Sequence, residues 1–310
     1  MTREYASGEA PGNRVPPYAA APHFDPDDES AYAAWRKARL AGYPARIADL
    51  LVEVDDIAQP TADERRRLMF LVAACNMAVY VERRPHPGRD DKQALRALGL
   101  SLGLARLDGN HLADDDGITP LAVHRDGTRS RYIPYTDRPI AWHTDGYYNE
   151  ATQRVRGLLL HCSRPAAQGG ENRLMDPEAL YIGLRDENPD WIRALMRSDA
   201  MTIPGNDEDG MTRPAVSGPV FFVEEGRLAM RYTARTRSIE WHADPMVQEA
   251  AAAIRRHLDG SGPTLFQARL EAGWGLVSNN VLHTREPFAD DAAAPRLLYR
   301  ARYHDRISAE

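Results

Sequence analysis

Apolar residues recur along this chain at two spacings, and the change from one to the other divides it. In the first third the spacing is helical. Thr61-Ala62-Asp63-Glu64 forms a capping box, and Leu68, Leu71, Val72 and Cys75 follow as an apolar stripe, predicting a helix over 61–75. An acidic start predicts another over 30–40, and a third is expected over 91–102, with a short strand at 77–81 between the last two. From Ile118 onward strand-like runs dominate. Strands are predicted at 118–123, 131–143, 156–162, 171–175, 198–203, 220–223, 228–232, 264–270, 275–279 and 296–303, with helices at about 177–197 and 244–258. Many short strands bounded by turn residues predict a mainly β fold, a barrel or jelly roll, with flanking helices. No internal repeat is evident.

Composition narrows this picture. The 310 residues, 43% of them hydrophobic, suit one long β-rich catalytic domain over 28–310. Residues 1–27, rich in Pro, Gly, Ala and charge, are expected as a poorly ordered or surface-wrapping arm. A net charge of −6 argues against a general nucleic-acid-binding surface. The first thirty residues lack the apolar core of a secretory signal, and no run of about 20 apolar residues is present, so no membrane span is expected. Cys75 and Cys162 stand in apolar stretches, as reduced thiols of a cytoplasmic protein would.

The candidate chemistry lies in five His-x-Asp triplets. Two His and one carboxylate on one face of a metal leave the opposite positions open, the arrangement of non-haem Fe(II) oxygenases. Residues i and i+2 of a strand point the same way, so His-x-Asp at a strand end aims two ligands at one point. Four triplets have local explanations. His23 lies in the Pro-rich arm, and Asp126-Gly127 after His124 is a turn signal. Asp244 before Pro245 reads as a helix N-cap, and His257 lies in the last turn of the same helix. His143-Thr144-Asp145 alone ends a strand-like run and stops at Gly146.

Further blocks follow it in order: Gly157-Leu158-Leu159-Leu160-His161-Cys162, Gln168-Gly169-Gly170-Glu171-Asn172-Arg173, Val277 to Arg285 with His283, and Arg296 to Tyr303. With His143-Thr144-Asp145-Gly146, this ordered set resembles the taurine dioxygenase/TfdA-like family of Fe(II)- and 2-oxoglutarate-dependent dioxygenases, from about Thr61 to Tyr303. The resemblance implies a double-stranded β-helix (jelly roll, cupin-like) core. It implies His143, Asp145 and His283 as catalytic iron ligands, and Arg296 as the partner of the far carboxylate of 2-oxoglutarate. Asn172 stands where the family usually has Thr, and its amide is expected to donate to that carboxylate. The implied reaction consumes O2 and 2-oxoglutarate, releases succinate and CO2, and hydroxylates an unactivated C–H bond. An aspartate at 145 argues against the halogenating variant, where a small residue makes room for halide.

The residues themselves support the arginine roles. A planar guanidinium pairs with carboxylate in bidentate fashion, and a buried arginine is costly unless paired. Arg300 matches a position that binds anionic substrate in some relatives, and it shares a strand face with Arg296. Arg302 is expected as a surface charge on an edge strand. Tyr147, Tyr148 and Asn149 are candidates for the substrate mouth, and Arg231, Trp241 and His242 for a pocket wall or an exposed loop. Asn279 and Asn280 are candidates either for orienting the ligands or for forming a turn. His161 is expected as a satisfied core histidine. The expected partner is a small anionic or zwitterionic metabolite; self-association into a homo-oligomer is left open. Two other readings stand beside the dioxygenase: a non-catalytic jelly-roll ligand sensor, and a zinc hydrolase using the same three ligands.

Overall fold

The computed structural model of the chain describes residues 21–84, 88–109, 114, 116–206 and 213–308. Its helices begin where their caps dictate. Thr61 Oγ1 accepts from Glu64 N, and Glu64 Oε2 accepts from Thr61 N at 2.7 Å, which starts the helix Ala62–Cys75. The helices Glu29–Leu40, Asp91–Ser101 and Pro245–Asp259 each start behind an aspartate, Asp28, Asp90 and Asp244, whose carboxylate accepts a backbone N–H. The helix expected over 177–197 is two, Pro177–Glu187 and Pro189–Leu195. Pro189 has no N–H to continue the first, and Asn188 before it is extended and caps the second.

Two sheets make the centre of the molecule. The larger runs Leu51–Val54, Met77–Glu82, Trp274–Ser278, Gly157–Arg164, Leu297–Tyr303, Ile118–Leu121; only its first pair is parallel. The smaller runs Leu265–Ala268, Asn172–Met175, Leu282–Arg285, Ile140–His143, all antiparallel. Leu158, Leu160, Cys162, Leu276 and Leu298 of the first meet Leu174 and Phe266 of the second in a shared core. The other face of the larger sheet (Tyr80, Leu159, Val277, Ala301, Tyr303) is covered by Leu68 and Val72 of one helix and Leu95 and Leu98 of another. A third cluster gathers the helices from 177 to 259. Sheets facing sheets with helices outside is the expected jelly-roll arrangement.

Three expectations about strands are corrected. Of 131–143 only Ile140–His143 is a strand; Thr128–Arg131 and Ile133–Tyr135 are short 3-10 helices. Pro134 and Pro139 supply no ladder donor there, and the carbonyls of Ile133, Pro134, Thr136 and Arg138 are taken by the Arg285 guanidinium instead. The strand Leu282–Arg285, which carries His283, lies beyond the expected 275–279 and follows a turn at Asn280. Leu51–Val54 was not expected at all. Residues 1–20 of the N-terminal arm lie outside the described residues. From residue 21 the chain packs: Phe24 is buried against Tyr181, and His23 stacks on Trp35. Among the described residues no helix is long and apolar enough to cross a membrane.

Candidate metal centre

The strand Ile140–His143 ends at the first candidate ligand, and Asp145 lies two residues on. Gly146 turns the chain away with φ 66°, where an added Cβ would fall 2.6 Å from Val155 Cγ2, so only glycine fits. Antiparallel pairing sets His283 directly across from His143. One ligand atom from each of His143, Asp145 and His283 lies within 4.8 Å of the others. Both histidines point Nδ1 at a carbonyl two residues earlier, Ala141 O at 3.0 Å and Val281 O at 2.9 Å. That contact fixes the tautomer with its proton on Nδ1 and leaves Nε2 as a lone-pair donor. Asp145 Oδ2 is buried and has no hydrogen-bond partner. Two neutral imidazoles and an unsatisfied carboxylate oxygen converging on one point fit a divalent metal.

The electrostatics agree with that fit. Burial lowers His143 to about 3, helped by the neighbouring His283, and burial also lowers His283, so both are neutral at pH 7. Burial alone would raise Asp145, but the Arg300 and Arg302 guanidiniums outweigh it and keep the carboxylate ionised. Arg300 Nη1 donates to Asp145 Oδ1 at 3.2 Å. Its Nε is buried without a partner, so the opposite edge of this guanidinium is unengaged.

Arg296 immediately precedes the strand Leu297–Tyr303, along which Leu298, Arg300 and Arg302 share one side. It is 5% exposed, faces Phe288 with its guanidinium 4.8 Å from the ring centroid, and that guanidinium has no carboxylate partner among the described residues. Arg285 covers the same ring from 4.9 Å. Burial, with the Arg296 charge close by, lowers Arg285 to about 9, and burial lowers Arg296 as well. Two buried guanidiniums that no carboxylate among the described residues hydrogen-bonds, Asp290 reaching only the backbone N–H of Arg296, form a place that favours an anion. Gly170 borders it: an added Cβ there would stand 3.7 Å from Arg296 Nε. Asn172 opens the strand Asn172–Met175. Its Nδ2 donates to Thr284 O at 2.6 Å, and its unpartnered atom is the acceptor Oδ1. One amide hydrogen remains to it.

Arg302 is corrected outright. It is 3% exposed, forms a salt bridge with Asp108, and donates from Nη1 to Tyr148 Oη at 3.0 Å. Its strand is not an edge, since Ile118–Leu121 pairs beyond it. Nothing in the loop sequence around Asp108 signalled this partner. Tyr147 and Tyr148 are half-buried, their rings packed edge to face, and Asn149 spends its amide on Gln153 O at 2.7 Å. Arg231 is buried and donates to the carbonyls of Met201, Val216 and Gly218, while the half-buried His242 lies 3.6 Å from Asp199.

The other triplets take no part in this centre. Asp244 caps its helix through Met246 N, and His257 Nε2 lies 2.7 Å from Glu187. His124 packs edge to face on Tyr135. His161 is satisfied in the core by Tyr80 Oη at 2.9 Å. Cys75 and Cys162 are buried free thiols, both pushed up to about 12 by burial. Arg285 lies in the Val277 to Arg285 block, where no local signal gives it a role; its burial shows only in three dimensions.

Comparison with known proteins adds three findings. The model of the taurine catabolism dioxygenase TauD, TfdA family matches residues 83–302. A uridine-5'-phosphate dioxygenase from Streptomyces sp is 32% identical over 206 residues, 61% of this chain and 70% of that protein. One from Amycolatopsis sp is 33% identical over 172 residues, 52% of this chain and 60% of that protein. Among solved structures, asparagine oxygenase in complex with Fe(II), 2S,3S-3-hydroxyasparagine and succinate aligns with a TM-score of 0.56 at 15% identity, over 90% of this chain and 85% of that one. The non-heme iron oxygenase OrfP, in complex with Fe, succinate and (3S)-hydroxy-L-Arg, aligns at 0.59 and 16% identity, over 80% and 81%. At such identities the structural likeness establishes the fold.

Proposed function

The chain belongs to the TauD, TfdA family and is an Fe(II)- and 2-oxoglutarate-dependent dioxygenase, and from that premise we propose that His143, Asp145 and His283 hold its iron and that Arg296 anchors its 2-oxoglutarate. The convergence of two Nδ1-fixed imidazoles on the free oxygen of Asp145 carries the ligand assignment. When bound, iron and 2-oxoglutarate activate O2 for oxidation of a substrate C–H bond, with succinate and CO2 as coproducts. The rest is the work of the chain. Arg300 holds Asp145 Oδ1 and leaves Oδ2 for the metal. Arg296, with Arg285 behind it, offers an otherwise unmatched guanidinium to the far carboxylate, and Asn172 borders that end with its remaining amide hydrogen. Leu158, Leu160 and Leu298 keep the interior apolar and limit water. One catalytic domain over 28–310 carries the reaction.

For substrate we propose a nucleoside 5'-phosphate or a close analogue. The names of the two curated relatives support this, and so does the unengaged edge of Arg300 beside the metal ligands, which suits a phosphate monoester. Tyr147, Tyr148 and Asn149 would border this substrate. The test is succinate release from 2-oxoglutarate, with Fe(II) and air, in the presence of uridine 5'-phosphate, uridine, taurine or arginine. Release driven by the nucleotide but not by the nucleoside is expected. Equal release with uridine would remove the phosphate reading. Anaerobic Fe(II) and 2-oxoglutarate should together give a weak visible charge-transfer band; its absence from folded, metal-free starting protein would overturn the ligand assignment.

A further inference from the structure

We propose that Asn280 is a positioning residue for the metal centre, fixing the backbone of Asp145 to the turn that delivers His283. The inference rests on the ligand assignment above. The sheet ladder ends at His143, and Thr144 N donates to Tyr232 O. Beyond that point the sheet offers Asp145 no strand to pair with. The side chain of Asn280 fills this gap: its Oδ1 accepts from Asp145 N at 2.8 Å, and its Nδ2 donates to Asp145 O at 2.9 Å. The second amide hydrogen goes to Val155 O at 2.7 Å, on the far side of the Gly146 turn. One buried amide therefore does for Asp145 what a neighbouring strand does for His143, across 135 positions of sequence.

The residue type follows from these demands. Position 280 has φ 52°, a left-handed conformation that asparagine tolerates better than most residues. The site needs one acceptor and two donors at the reach of a single methylene. Aspartate lacks the donors, and glutamine is one carbon too long. Glycine keeps the backbone conformation and removes only the amide. Asn279 is a natural comparison. It is equally buried, but its side chain bonds Asn76 Oδ1 and both backbone groups of Ile307, which ties down the C-terminal segment and not the ligands.

Partners that hold metal ligands in place typically contribute roughly 10- to 100-fold in metal affinity. The test is anaerobic titration of the full chain with Co(II) alone, followed by its visible spectrum, for the wild type, Asn280→Gly and Asn279→Ala, with thermal midpoints of the metal-free proteins measured alongside. A loss of roughly 10- to 100-fold is expected for Asn280→Gly, with Asn279→Ala binding Co(II) as the wild type does even if its midpoint falls as far. Unchanged Co(II) affinity in Asn280→Gly, or losses in both variants that track their midpoints, would overturn the proposal. Should the glycine variant not fold, Asn280→Ser, whose hydroxyl is too short to span both groups of Asp145, is read in the same way. A wild type without a saturable Co(II) site would overturn the ligand assignment and this inference together, which separates the two failures.

Discussion

His143 and His283 are direct neighbours across an antiparallel strand pair, with ring centroids 4.2 Å apart, although 140 residues separate them in sequence (283 − 143). Register creates this relationship. A slip of one residue in either strand would turn one imidazole to the opposite face. The irregularity in that pair falls after His283, between it and Arg285, so the two rings face each other before the ladder shifts.

Replacing His143 or Asp145 with Ala should abolish both iron-dependent succinate release and the rise in thermal midpoint that Co(II) gives the wild type. His124→Ala should leave both intact, because its ring packs on Tyr135 away from the three ligands. His242→Ala should also keep the metal response. Loss of metal binding in His124→Ala with retention in His143→Ala would refute the assignment.

Arg296→Gln should raise KM for 2-oxoglutarate by roughly 10- to 100-fold, the equivalent of about 1.5–3 kcal/mol for a hydrogen bond to a charged group. The Co(II) affinity without 2-oxoglutarate should stay as in the wild type, since Arg296 contacts none of the ligands. Steady-state kinetics paired with Co(II) titration separates the two effects.

The Arg302–Asp108 pair should prove far more expensive to break than to delete. Arg302→Met leaves the buried Asp108 without its guanidinium partner, and a loss of about 3–5 kcal/mol is expected. The double variant Arg302→Met/Asp108→Leu should recover much of that loss. Urea unfolding of the three proteins measures it; single and double variants of equal stability would show that the pair does not carry the local electrostatics.

Glu64 gives a pH-dependent prediction. Burial would raise its carboxyl, but the backbone N–H groups of Thr61 and Asp55 outweigh it and hold the group below its usual value of 4.5. A carboxylate lowered by folding stabilises the protein fully above its unfolded value and loses that effect as pH falls through the folded one. Glu64→Gln should therefore cost about 1 kcal/mol at pH 7, with the gap from the wild type closing below pH 4.5. Urea midpoints at pH 7 and at acid pH test the sign.

What the sequence alone determined about this protein is what short stretches of chain dictate. The capping box at Thr61 and Glu64, the N-cap at Asp244 and the stop at Gly146 are satisfied within a few residues, so composition and spacing reveal them. The order of the His-x-Asp, Gly-Gly-Glu-Asn, His283 and Arg296 blocks was equally legible, because it is a property of the string. Only the tertiary structure decided which charges are buried and with what. Arg302 became an interior cation because Asp108, 194 residues earlier (302 − 108), meets it. Arg285 replaced an expected strand over 131–139 by binding that loop's carbonyls. Asn280 took up the backbone of Asp145, and the strand of His283 formed beyond its turn. A buried polar group must find its partner wherever packing supplies one, and packing brings together residues whose distance along the chain carries no trace of the meeting.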